Sequence, residues 1–222
     1  MHGFNPFYQK TAAILRPDPF GRVPDGVKSG CRMRKALIAW IGATCLLSSA
    51  AGAEPLVRLH TSYYYIEGPS AAVLAAQLDQ KGPLGSDGRR HPARTRWDIQ
   101  WKLSPEQQGT SCTMKDAAVA VGIAQTLPRW RGESKGAATL KARWSAFSNA
   151  LQRHLERHKQ NAMKAAGEIE AAVRSVKPAS NCEDLEAAAN AAAQAIVSRY
   201  QELDEQYDRQ TDHGRNEGAT LL

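Results

Sequence analysis

The sequence has no apolar run of 18 residues, no Gly-x-Ser-x-Gly elbow, no internal repeat and, although two histidines stand four apart, no His-Glu-x-x-His. The first absence rules out a helix that spans a bilayer by length. The second removes the usual serine-hydrolase nucleophile turn, and the third a solenoid. "GRRHPAR" carries no phosphate-loop pattern, and His60 and His91 read as ordinary polar loop or strand-end residues. A surplus of basic charge is also missing where it would matter. The chain has a net charge of +7, but seven of its 29 Lys and Arg and only two of its 22 Asp and Glu fall in residues 1–53. The remainder holds 22 basic against 20 acidic residues. The footprint of a nucleic-acid binder is therefore not there, and no nucleic-acid partner is expected.

Residues 1–32 are rich in Pro and Gly without apolar periodicity, and are not expected to fold. From Met33 the text reads "MRKALIAWIGATCLLSSAAGA": a basic start at Arg34 and Lys35, an apolar stretch from Ala36 to Leu47, and a small-residue cleavage site ending at Ala53. This is the layout of a secretory signal peptide over 33–53, and the apolar stretch is too short for a membrane anchor. Cys45 lies inside it, without the residues a lipid-anchored cysteine requires. The expectation is a single periplasmic or secreted domain over 54–222, with no membrane anchor once the signal is cut. That domain keeps two cysteines, Cys112 and Cys182. An even pair in an oxidising compartment predicts one disulfide; two buried free thiols are the alternative.

"RLHTSYYYI" (58–66) is rich in strand formers, and "PSAAVLAAQLDQ" (69–80) reads as a short helix opened by Pro69. In "TRWDIQWKL", Thr95, Trp97, Ile99, Trp101 and Leu103 alternate with polar residues, which makes a strand with one wet face. A third strand runs from about Cys112 to Leu127. Sheets wet on one face are most often antiparallel. After "RGESKG" the pattern turns helical as far as Lys177, before Pro178, with Trp144, Phe147, Leu151, Leu155, Ala162, Ala165, Ile169 and Val173 on one stripe. A second long helix starts at Ser180-Asn181-Cys182-Glu183, which has capping-box spacing, and points Leu185, Ala189, Ala192, Ile196, Tyr200, Leu203 and Tyr207 inward. The predicted fold is α+β: a small antiparallel sheet packed against two long antiparallel helices.

His154 and His158 lie at the edge of the first helix's apolar stripe, and Asn161 continues their line. Spacing of i,i+4 lets one metal ion reach both imidazoles, although such a pair can also simply border an amphipathic face. "HLERH" places leucine at 155 and glutamate at 156. On a regular helix Glu156 points nearly opposite the histidines, among cations, where it cannot reach water held by a metal. Glu168 returns to the histidine side, but roughly 15 Å along the axis.

"YDRQTDHGRNEGA" (207–219), taken with "SDGRRHPARTRWDIQW" (86–101), "TLPRW" (126–130) and the histidine helix, resembles a bacterial family of predicted secreted zinc-dependent proteases, also described as a domain of unknown function. The likeness covers about Tyr63 to Ala219. It implies zinc as cofactor, a peptide or protein substrate, and His154 and His158 as ligands. The family carries His-Glu-x-x-His, so Leu155 departs from it at the general base, and Glu156 is the only adjacent glutamate. Tyr207, Asp208, Thr211, His213 and Gly214 match its terminal motif. We infer His213 as the third ligand because it ends the helix that packs against the histidine helix; the alternative is a C-terminal histidine facing the helix dipole, with Gly214 after it. In an active enzyme Tyr207 or Asp208 would assist proton transfer or stabilise an oxyanion. The other reading is a non-catalytic metal-binding or interaction module that keeps the fold.

Overall fold

A computed structural model describes residues 54–222. The expectations for 1–32, for the signal peptide over 33–53 and for cleavage after Ala53 lie outside the described residues. The element order is β1 (Leu56–Glu67), α1 (Ala71–Lys81), β2 (Arg94–Gln108), β3 (Ser111–Arg131), α2 (Ala138–Arg174) and α3 (Cys182–Thr211), with short 3-10 turns at Glu133–Lys135 and Arg215–Glu217.

The fold is α+β, but its sheet is mixed rather than antiparallel. Strand order is β1-β3-β2, with β3 antiparallel to β2 and parallel to β1. The connection through α1 leaves a gap one strand wide between β1 and β2, and β3 inserts there on its return from the hairpin at Gly109. Alternation in β2 reports only which face is wet, so it could not reveal how β1 runs. Both strands of the hairpin also run further than expected, β2 past an irregularity at Ser104/Pro105 and β3 on to Arg131, opposite Glu67.

α1 is capped by Ser70, whose hydroxyl accepts from Val73 N, so Pro69 stands just outside the helix. α3 is capped by Asn181, one residue later than the capping-box reading, with its side chain accepting from Asp184 N at 2.8 Å. An N-cap bond of this kind contributes about 1 kcal/mol. Cys112, at the start of β3, is joined by a disulfide to Cys182, the first residue of α3, with Cα atoms 5.2 Å apart. A reciprocal backbone pair between Cys112 and Ala179 braces the same junction.

Two apolar clusters form the core. One gathers Ile66, Leu74, Leu78, Trp130, Trp144, Phe147 and Leu151 with the C-terminal Ala219 and Leu221. The other packs Val119, Val121 and Ile123 of the sheet under Ala162, Ala166, Ile169 and Val173 of α2 and Ala189, Ala193 and Val197 of α3. The alanines let the two helices approach closely. Contacts of α2 with α3 run in reverse order, His154 to Asp208, His158 to Asp204 and Glu168 to Tyr200, so the helices are antiparallel as expected. Every residue of the predicted α2 stripe is buried. Of the predicted α3 face, Leu185, Ala189 and Tyr200 are buried as expected, whereas Ala193 and Val197 lie inside in place of the half-buried Ala192 and Ile196, and Leu203 is 42% exposed.

Candidate metal centre

Along the inward line of α2, His154, His158 and Asn161 occupy the interval between the two apolar clusters, and all three are buried, the histidines to 4% and 7% exposure. Imidazoles removed from water must find partners. α3 supplies them: past Val197 and Tyr200 its inward line continues as Asp204 and Asp208, whose i,i+4 spacing mirrors that of the histidines across the antiparallel interface.

Each imidazole is held at both nitrogens. Nδ1 of His158 lies 3.0 Å from Asp204 Oδ1, and Nδ1 of His154 lies 3.1 Å from Glu217 Oε2. A carboxylate only accepts, so each Nδ1 donates to its own carboxylate and each Nε2 faces the opposite side. There both Nε2 atoms meet Asp208 Oδ1, at 3.1 Å from His154 and 3.0 Å from His158, and each other at 3.2 Å. Two imidazole nitrogens and a carboxylate oxygen this close are held together either by protons on Nε2 or by a cation. Ligand atoms on a tetrahedral zinc with bonds of about 2.0–2.1 Å are about 3.3 Å apart, close to this triangle. His154, His158 and Asp208 therefore fit a metal ion as they stand, with a carboxylate behind each imidazole, the arrangement that orients metal-ligating histidines.

The carboxylate supports are themselves fixed. Asp204 accepts from Asn161 Nδ2 through Oδ1 and from the Trp97 indole N–H through Oδ2, both at 2.7 Å. Glu217 accepts from the Tyr207 hydroxyl at 2.7 and 2.8 Å, and the Tyr207 ring stacks on His154. Burial lowers the affinity of His158 for a proton, but hydrogen bonds and charge from Asp204 and Asp208 outweigh it and raise the pKa to about 9. Asp208 moves the other way: burial raises its pKa, yet both histidines hold it well below the usual carboxylate range. Burial and the Glu217 carboxylate push the Tyr207 phenol up, so it stays protonated.

A turn in the left-handed region closes the site. Asp212 and His213 have φ of 47° and 52°, unusual for residues with side chains. Gly214 follows at φ 88°, and a Cβ there would stand 3.1 Å from His154 Cγ. Glycine thus lets the chain cross the imidazole face and bring Glu217 round to Nδ1.

Of the residues singled out in the sequence, the structure brings together His154, His158, Asp208 and Tyr207. The group that could hold a metal ion joins His154 and His158 to Asp208, and His213 is not among its three residues. The His213 ring lies beyond it, with Nδ1 3.5 Å from Asp208 Oδ2 and its face against His91, the ring centroids 3.7 Å apart. Glu156 pairs with Lys159 at 3.1 Å and lines a separate cleft of about 600 Å³ with Tyr63, Tyr65 and Leu155. Glu168 is engaged by Tyr200 and Arg199. Asp204, Glu217 and Trp97 were not foreseen as site residues. The signal for Asp204 was present, since Asp204 and Asp208 repeat the histidine spacing on the facing helix.

Residues 61–214 match the family model described as "Bacterial protein of unknown function (DUF922)", and the chain belongs to that family. The description assigns no activity. No curated protein and no solved structure matches the chain.

Proposed function

We propose that this member of the DUF922 family is an exported zinc protein whose centre, formed by His154, His158 and Asp208, is of the metallohydrolase type but deficient in its general base. The observation that carries the reading is the convergence of two Nε2 atoms and one carboxylate oxygen within 3.2 Å of each other, with a carboxylate behind each imidazole. Imidazole with carboxylate suits zinc, and a site of three protein ligands would be of the catalytic rather than the structural kind. Zinc held by His154, His158 and Asp208 would supply Lewis acidity there, able to polarise a carbonyl and acidify water.

The chain's own residues have separable roles. Asp204 and Glu217 hold the imidazoles in the tautomer that presents Nε2. Tyr207, kept protonated and seated on His154, donates to Glu217 and so fixes that support; in catalysis it would stabilise negative charge only after a substrate drew its hydroxyl from Glu217. Position 155 offers no proton acceptor, because Leu155 is packed into the interior at 3% exposure, and Glu156 is occupied by Lys159. These two placements support the second reading, a metal-binding or interaction module without hydrolysis. Export is supported by the signal-peptide reading and by the Cys112–Cys182 disulfide, since such bonds persist in oxidising compartments.

The test pairs zinc content with peptidase assays. The unmodified chain is expected to hold zinc and to cleave peptides weakly or not at all, because loss of a general base costs about 10² to 10⁴ in rate. Leu155→Glu should raise the rate at unchanged zinc content. Efficient cleavage by the unmodified protein that is lost in Glu156→Ala would show that Glu156 reaches the centre and that the assignment is wrong.

A further inference from the structure

We propose that Asp87, His91 and His213 form a second site for a divalent transition-metal ion, beside the first and distinct from it. The donors come from regions far apart in the chain: Asp87 and His91 from the loop between α1 and β2, His213 from the turn after α3. One ligand atom from each lies within 4.8 Å of the others, the same set of two imidazoles and a carboxylate as in the first centre.

The loop is built around this pair rather than merely carrying it. Gly85 N donates to Arg89 O and His91 N donates to Pro83 O, closing a tight loop across the Leu84–Arg90 bridge. Within it His91 Nε2 sits 3.0 and 3.1 Å from the two Asp87 oxygens. A Cβ on Gly85 would come within 2.6 Å of Asp87 Oδ1 and 2.8 Å of His91 Nε2, so the backbone has made room for that contact. On the other side, two consecutive left-handed residues, Asp212 and His213, bring the His213 ring onto His91.

The spacing at His213 leaves room for a cation rather than closing a hydrogen-bond cluster. Its Nδ1 faces Asp208 Oδ2 at 3.5 Å. Its Nε2 stands 3.9 Å from Asp87 Oδ2, too far for a hydrogen bond. An ion held by His213 Nε2, Asp87 Oδ2 and His91 Nε2 would fill that gap, displacing the proton His91 shares with Asp87. Imidazole and carboxylate donors select zinc and its first-row neighbours over calcium and magnesium, which prefer oxygen alone. Asp208 would then stand behind His213 through Oδ2 while its Oδ1 serves the first centre, so the two sites share a carboxylate as support.

The full chain is dialysed against buffered Zn²⁺ and its metal is counted, with cobalt substitution as a second readout of ligand number. The unmodified protein is expected to hold two ions. His91→Ala and Asp87→Asn should each hold one, with the visible spectrum of the remaining cobalt unchanged. His158→Ala should also hold one, which Asp87→Asn added to it removes. Asp87 is a loop residue, so its variant tests the site even where His91→Ala folds poorly. The proposal is overturned by a single ion that Asp87→Asn and His91→Ala leave in place, by a single ion lost on changing any of His91, His154 or His158, and by a chain that holds no ion. An ion that survives His158→Ala but not His91→Ala keeps this site and removes the first one instead.

Discussion

Asp204 is the residue whose removal tests most about how the centre is held. Its two oxygens accept from three donors, His158 Nδ1, Asn161 Nδ2 and Trp97 Nε1, at 3.0, 2.7 and 2.7 Å. Asp204→Ala leaves all three facing a partly buried void. A hydrogen bond to a charged group contributes about 1.5–3 kcal/mol, but the three share one acceptor and their energies do not add. Deleting the carboxylate also relieves its own desolvation. A net loss of about 3–5 kcal/mol, the range for breaking a buried pair, is the expected outcome. At about 2–4 °C per kcal/mol that lowers the melting temperature by roughly 6–20 °C. Asp204→Asn keeps an acceptor for His158 but turns an amide N–H₂ toward the indole N–H, and should cost about 1–3 kcal/mol. Both variants should weaken zinc binding by about 10 to 100-fold, since the His158 ring loses its orienting carboxylate. Calorimetric unfolding and chelator competition read the two effects separately, and Trp97 fluorescence reports the local change. If Asp204→Ala stays folded and binds zinc as tightly as the unmodified chain, His158 does not depend on Asp204 and the supporting role assigned here is wrong.

The remaining predictions concern pH, the disulfide and the closing turn. In the metal-free protein His158 titrates near 9, above its ordinary value of about 6.5. Its contribution to stability is therefore complete below about pH 6.5 and lost as pH rises through 9. Asp208 is depressed, so its contribution is present above about pH 3.9 and lost as pH falls below that. Melting curves with chelator should accordingly show highest stability between those limits, while zinc affinity should rise about tenfold per pH unit from 7 toward 9, as the ion displaces a proton. Replacing both Cys112 and Cys182 by serine opens a loop with a sequence separation of 70 and should cost up to about 4 kcal/mol; unchanged melting on reduction would contradict this. Gly214→Ala, at φ 88° and against His154, should lose about 1–3 kcal/mol and weaken zinc binding through the displaced Glu217, both measurable by the same assays.

α2 was legible almost residue by residue because it is long and its buried side is apolar apart from Glu170 and from His154, His158 and Asn161, which lie on the stripe's own edge. α3 was legible at Leu185, Ala189 and Tyr200 and misread toward its far end, for the physical reason that makes it functional. Its inward line ends in Asp204 and Asp208, and counting apolar residues pulls the face toward Leu203, which is exposed. Those acids belong inside only because α2 presents two imidazoles to them, a pairing that exists between helices and not within either. The parallel course of β1 is likewise a property of three strands together. Cys112 and Cys182 could be paired from the sequence because only two cysteines follow residue 53. His91 and Asp87 gave no such cue, since nothing local announces that the turn after α3 folds back onto their loop.

The central claim is that His154, His158 and Asp208 jointly hold a metal ion, and zinc titration of the full chain carrying Asp87→Asn, compared with the same protein carrying His154→Ala, His158→Ala or Asp208→Ala in addition, tests it most directly. The account predicts one tightly bound zinc in Asp87→Asn and none in any of the three double variants, with folding checked by circular dichroism. Zinc retained in full after folded Asp208→Ala or His158→Ala is added would contradict it.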